Sequence, residues 1–129
     1  MKRVISTDKA PAAVGPYSQA IVASASSFVF TAGQIGINPD TKKIVTGGIQ
    51  AETRQVLENL KAVLKAAGSD IDQVIKCTVF LTDMANFGAM NEIYESYFKL
   101  NPPARSAVAV KQLPLNAQVE IEAIAMATA

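Results

Sequence analysis

The chain has 129 residues, enough for one domain around a single hydrophobic core and too few for two. Half of the residues are hydrophobic, 18% are charged and the formal net charge is +1, which excludes a disordered chain and argues against an electrostatic grip on nucleic acid. There is no histidine and one cysteine, Cys77, so Ser-His-Asp and Cys-His catalysis, histidine-ligated metals and an internal disulfide are all ruled out. Any chemistry must come from carboxylate, hydroxyl, arginine, lysine or backbone groups.

The apolar runs stop well short of a membrane span, and the opening Met1-Lys2-Arg3-Val4-Ile5 lacks the apolar segment of a secretory signal. A lone cysteine suits a reducing compartment. The expectation is a cytoplasmic protein with neither membrane nor nucleic-acid partner, or a mitochondrial-matrix protein if a presequence has been removed.

In chain order, residues 1–16 read as an extended lead-in that ends at the turn signal Gly15-Pro16. Residues 17–24 and 28–34 predict two strands joined as a hairpin by a short Ser/Ala turn. Asn38-Pro39-Asp40 marks a loop, and Ile44-Val45 a brief strand. Gly47-Gly48 lacks the Lys-Ser/Thr of a phosphate loop and reads as a turn before a helix. The buried stripe of that helix is Ile49, Thr53, Val56, Leu57, Leu60, Val63, Leu64 and Ala67. Arg54, Glu58 and Lys61 lie on its wet side, and Gly68 suits its C-terminal cap. Residues 73–82 predict a strand carrying Cys77 as a small buried hydrophobe. Asp83 can cap a second helix with the stripe Phe87, Met90, Ile93, Tyr94, Tyr97 and Phe98, whose aromatics read as core or interface. Pro102-Pro103 stops that helix, a strand follows at 104–110, Leu113-Pro114-Leu115-Asn116 turns, and the last strand runs over 118–127.

This order, ββ(β)αβαββ, fits a single α+β domain over residues 1–129, with two helices on one face of a sheet. No third helix exists to cover the other face, so sheet-against-sheet packing in an oligomer is expected.

The run Pro102-Pro103-Ala104-Arg105-Ser106-Ala107-Val108-Ala109-Val110 sets one arginine in small apolar surroundings. Period-2 alternation puts Arg105 on a face with Ala107 and Ala109, which leave room beside the guanidinium. Its fork matches a carboxylate and stays charged. Arg105 is therefore half of an ion pair, with Glu120 or Glu122 on the last strand, or a grip for an anionic ligand. Those two glutamates share a strand face, and periodicity does not choose between them.

Several segments in order resemble the Rid family (reactive intermediate deaminases, also called YjgF), in its RidA-type branch. They are Ala10-Pro11-Ala12-Ala13-Val14-Gly15-Pro16-Tyr17-Ser18-Gln19, Gly33-Gln34-Ile35, Ala66-Ala67-Gly68, Asn91-Glu92-Ile93-Tyr94 with Phe98, Pro103-Ala104-Arg105-Ser106, and Val119-Glu120-Ile121-Glu122-Ala123-Ile124-Ala125. The resemblance spans nearly the whole chain. It implies a chorismate-mutase-like α+β fold, with a mixed, mainly antiparallel sheet, in a homotrimer with pockets between subunits. It also implies hydrolysis of 2-imino and enamine acids, such as 2-iminobutanoate and 2-iminopropanoate, to 2-oxo acids and ammonia, without metal or organic cofactor.

By the same resemblance, Arg105 clamps the substrate carboxylate, Glu120 activates water as general base, and Tyr17 supplies a hydroxyl. Gly33, with Thr31 and Gln34 beside it, helps to bind substrate. Two positions depart from the pattern: Ala107 stands where many relatives carry cysteine, and Ala32 where many carry serine. The alternatives are a non-enzymatic regulatory trimer that binds a 2-oxo acid or amino acid, and an endoribonuclease or translation inhibitor, a label the family has also carried.

Overall fold

Eighteen residues of strong 3.6-residue periodicity form the longest helix, α1 (Ile49–Ala66), in a computed structural model that describes residues 1–128. Ala129, the last residue of the expected domain, lies outside the described residues. Val56, Leu57, Leu60 and Leu64 of α1 are completely buried, whereas Val63 sits at the edge of the stripe and is partly exposed. The helix ends in a Schellman motif. Ser69 N–H donates to Leu64 C=O and Gly68 N–H to Lys65 C=O, with Gly68 at φ 79°, where a side chain would be strained.

The strands are β1 (Lys2–Ile5), β2 (Ala20–Ala23), β3 (Ser27–Phe30), β4 (Gln34–Ile35), β5 (Ile37–Asn38), β6 (Lys43–Ile44), β7 (Val74–Leu81), β8 (Ala104–Ala109) and β9 (Val119–Ala127). The second helix is α2 (Phe87–Tyr97). Asp83 caps not α2 itself but the short 3-10 turn Met84–Asn86 that leads into it, accepting from Ala85 N–H.

The main sheet has the order β3-β9-β7-β8, with β4 also paired to β9. Every pairing is antiparallel except β7 with β8, which α2 joins as a parallel crossover. The fold is thus α+β with a mixed, mostly antiparallel sheet and two helices. Alternation along β7 and β9 points Cys77, Val79, Leu81, Val119, Ile121, Ala123 and Ala125 into the core shared with α1 and α2. The opposite face carries Glu120 and Glu122, and beside them Phe30 and Val108, exposed at 74% and 44%.

The hairpin expected from residues 17–34 does not form. β2 pairs with β1, a strand formed within the expected extended lead-in, and β3 pairs with β9. The connection Ser24-Ala25-Ser26 holds no residue at positive φ, so it cannot make the tight turn that sets two strands side by side. It instead lets the chain pass from one sheet to the other.

Candidate functional site

Arg105 enters from β8, opposite Cys77 of β7, and therefore lies on the helix side of the sheet at its edge. Its guanidinium carbon is 4.8 Å from the ring centroid of Tyr94, 5.4 Å from that of Phe87 and 5.5 Å from that of Tyr17. Nη1 donates to Asn91 Oδ1 at 2.7 Å. Phe87, Asn91 and Tyr94 stand four and three residues apart, so one face of α2 supplies two rings and the amide.

The third ring arrives through Ser18. Ser18 N–H donates to Pro103 C=O at 3.1 Å, and its hydroxyl to Pro102 C=O at 2.5 Å. These bonds tie the loop carrying Tyr17 to the segment just before Arg105. Tyr17 Oη accepts from Val14 N–H at 3.4 Å, which leaves its own proton free.

Burial lowers the pKa of Arg105 from its ordinary value, but a guanidinium remains charged at physiological pH. Three aromatic faces stabilise that charge in place of water, each worth about 0.5–2 kcal/mol. Among the described residues, no carboxylate pairs with it. Of the two readings left open for Arg105, the intramolecular ion pair is not formed.

Glu120 cannot form that pair for a topological reason. It is paired with Phe80 and Ile35, in the row of side chains that faces away from the helices. Within one chain Arg105 and Glu120 therefore stand on opposite sides of the sheet. Glu120 lies against Gly33 instead, where any Cβ would overlap its carboxylate, so glycine is what lets the acid sit there.

The remaining expected binding residues separate. Thr31 N–H donates to Ala123 C=O and Thr31 Oγ1 accepts from Ala123 N–H at 3.0 Å, so Thr31 is bonded to β9 as a strand partner. Gln34 pairs with the buried Ile121 and lines a hollow of about 360 Å³ with Ile37, Asn59 and Val63. That hollow lies on the α1 side, so the Gln34 side chain faces away from the Glu120 carboxylate. Two further hollows, of about 220 and 310 Å³, are lined by neither Arg105 nor Glu120. Among the described residues no three His, Cys, Asp or Glu side chains gather as a metal site, and no helix is long and apolar enough to cross a membrane.

Residues 7–127 match the family described as Endoribonuclease L-PSP. The chain belongs to this family, also known as YjgF/Rid. It is 56% identical to a RutC family protein of Pyrococcus horikoshii, over 97% of this chain and 98% of that one. It is 49% identical to the 2-iminobutanoate/2-iminopropanoate deaminase of Mus musculus, over 98% of this chain and 92% of that one. The solved structure of Escherichia coli TdcF with bound serine superposes with a TM-score of 0.75 at 42% identity, covering 98% and 99% of the two chains.

In this Rid chain Asn91, Phe87, Tyr94 and Ser18 are site residues beyond those expected from the sequence. Phe87 and Tyr94 were legible as a helical stripe, but as core. The available signal was Asn91, a polar residue between them at the same spacing. Ser18, 6% exposed, gave no signal beyond its place after Tyr17.

Proposed function

We propose that the protein hydrolyses 2-imino and enamine acids, such as 2-iminobutanoate and 2-iminopropanoate, to 2-oxo acids and ammonia. The observation that carries this reading is the Arg105 guanidinium, held among three rings and one amide with no acid among the described residues to neutralise it. Such a group fits a small carboxylate, and the substrate class has one beside its C=N bond. The mammalian relatives named for this activity support it, as does a family member with bound serine, itself an amino acid with a carboxylate.

In the reaction, Arg105 fixes the carboxylate and hence the adjacent imine carbon. Glu120 takes a proton from water as the water oxygen bonds to that carbon, and the imine nitrogen gains a proton. In the resulting carbinolamine the hydroxyl proton is lost, the C–N bond breaks and ammonia leaves with a further proton. Tyr17, whose hydroxyl proton is uncommitted, can donate into the same space. General base catalysis of this kind contributes about 10²–10⁴-fold.

Because Arg105 and Glu120 face opposite ways in one chain, the working site takes Arg105 and Tyr17 from one subunit and Glu120 and Gly33 from the next, in a homotrimer. The exposed Phe30 and Val108 on the same sheet face as Glu120 support burial of that face against another copy.

The test is a coupled assay in which a threonine dehydratase generates 2-iminobutanoate and semicarbazide traps it. The protein should lower trapping, Arg105→Ala should abolish the effect, and Glu120→Ala should weaken it severely. Mixing the two variants with subunit exchange should restore activity above that of either alone. Full activity in Arg105→Ala rejects the clamp. Serine binding in a relative favours a second reading, a regulatory trimer, which would leave trapping unchanged in this assay while binding 2-oxobutanoate in a direct titration. The family's description as an endoribonuclease is a third. A charge of +1 with no basic stripe counts against it, and a salt titration of single-stranded RNA binding tests it.

A further inference from the structure

We propose that Asn91 is a positioning residue that aims the Arg105 fork while leaving its charge uncompensated, so that the bound substrate carboxylate is what neutralises it. This rests on the reading of Arg105 as a carboxylate grip. The guanidinium has five N–H donors, and among the described residues one hydrogen bond engages them, from Nη1 to Asn91 Oδ1 at 2.7 Å. Nη2 points towards the Gly15 turn, where a Cβ would lie 3.9 Å from it. One terminal nitrogen is thus held by α2, and the other lies towards the exposed Gly15.

The choice of an amide at this position is the informative feature. Aspartate has the same shape as asparagine and would accept a stronger, charge-assisted bond from Arg105. If Arg105 served only to join α2 to β8, aspartate would be the better partner. The neighbouring acid on α2 is directed elsewhere, since Glu92 Oε2 accepts from Gln50 Nε2 at 3.0 Å. Asparagine fixes the direction of the fork, and the rings of Tyr17, Phe87 and Tyr94 stabilise its charge without cancelling it. The site is orientated and still cationic before an anion arrives.

The test titrates 2-oxobutanoate, the product of the proposed reaction, into wild type, Asn91→Asp, Asn91→Ala and Arg105→Ala, with thermal unfolding of each. Asn91→Asp should keep or raise the unfolding temperature yet weaken binding about tenfold or more, the equivalent of about 1.4 kcal/mol. KM for the imine should rise with it, while kcat stays within about threefold, as when binding common to ground and transition states is removed. Asn91→Ala, which loses aim but adds no charge, should bind with intermediate affinity. If aspartate binds as well as wild type, or better than alanine, Asn91 is a structural partner and the proposal falls. Should Asn91→Asp fail to fold, Asn91→Ala decides, since undiminished affinity there also overturns it. If Arg105→Ala retains wild-type affinity, the carboxylate grip fails first and takes this inference with it. Loss of binding in Arg105→Ala alone overturns only the role of Asn91.

Discussion

Gly33 lies directly beneath the Glu120 carboxylate, in a space that no residue with a Cβ could share. The contact is with the far end of a flexible side chain, so a methyl group at Gly33 would displace the acid rather than unfold the strand. Gly33→Ala should therefore change stability by less than about 1 kcal/mol, because reduced unfolded-state entropy offsets part of the crowding. The same change should lower imine hydrolysis about 10²-fold through misplacement of the base. Urea denaturation and the semicarbazide assay on one preparation check both halves. Wild-type turnover in this variant would remove Glu120 from the reaction.

Glu52, an acid in the first turn of α1, is buried to 3% exposure. Its carboxylate accepts from Gln118 N–H at 2.9 Å and from Gln118 Nε2 at 2.8 Å, joining α1 to the residue before β9. Glu52→Ala leaves a backbone N–H without its partner and should cost about 2–3 kcal/mol. Glu52→Gln, which keeps one acceptor, should cost less. The midpoint of urea unfolding, at unchanged m, measures the difference.

Tyr94 presents its ring to Arg105 and buries its hydroxyl without a hydrogen-bond partner. The Cys77 thiol interacts with that hydroxyl electrostatically but does not meet hydrogen-bond geometry. Removing the oxygen relieves an unsatisfied group and keeps the ring. Tyr94→Phe should thus gain about 1 kcal/mol of stability. Its kcat/KM should remain within about threefold of wild type. A loss of stability would mean that the hydroxyl has a partner in solution.

Burial pushes the Cys77 thiol up to about 11 from its ordinary value of 9.0. Between those values the unfolded chain gives up the thiol proton and the folded chain keeps it. This contribution to stability is full below about pH 9 and declines as pH rises towards 11, by at most about 3 kcal/mol. Relative to Cys77→Ala, wild type should lose that much more stability between pH 8 and 11 in paired urea titrations. The buried thiol should also resist thiol reagents at pH 8 until the protein is unfolded.

Elements with a local pattern are legible in the amino-acid order alone. The α1 stripe around Leu57, Leu60 and Leu64, the Gly68 cap, β7 and β9, and the side of β8 that carries Arg105 all follow from periods of 3.6 and 2, which a single segment expresses alone. Which segments meet is a property of the assembled fold. That β2 takes β1 rather than β3, that Glu52 is buried against a residue 66 positions away, and that Asn91 and Tyr17 converge on Arg105 from α2 and an N-terminal loop depend on pairings between distant segments. The separation of Arg105 from Glu120 belongs to the same class. Each side chain's own strand face is legible from alternation, but which face of β8 continues which face of β9 is set by their shared register with β7.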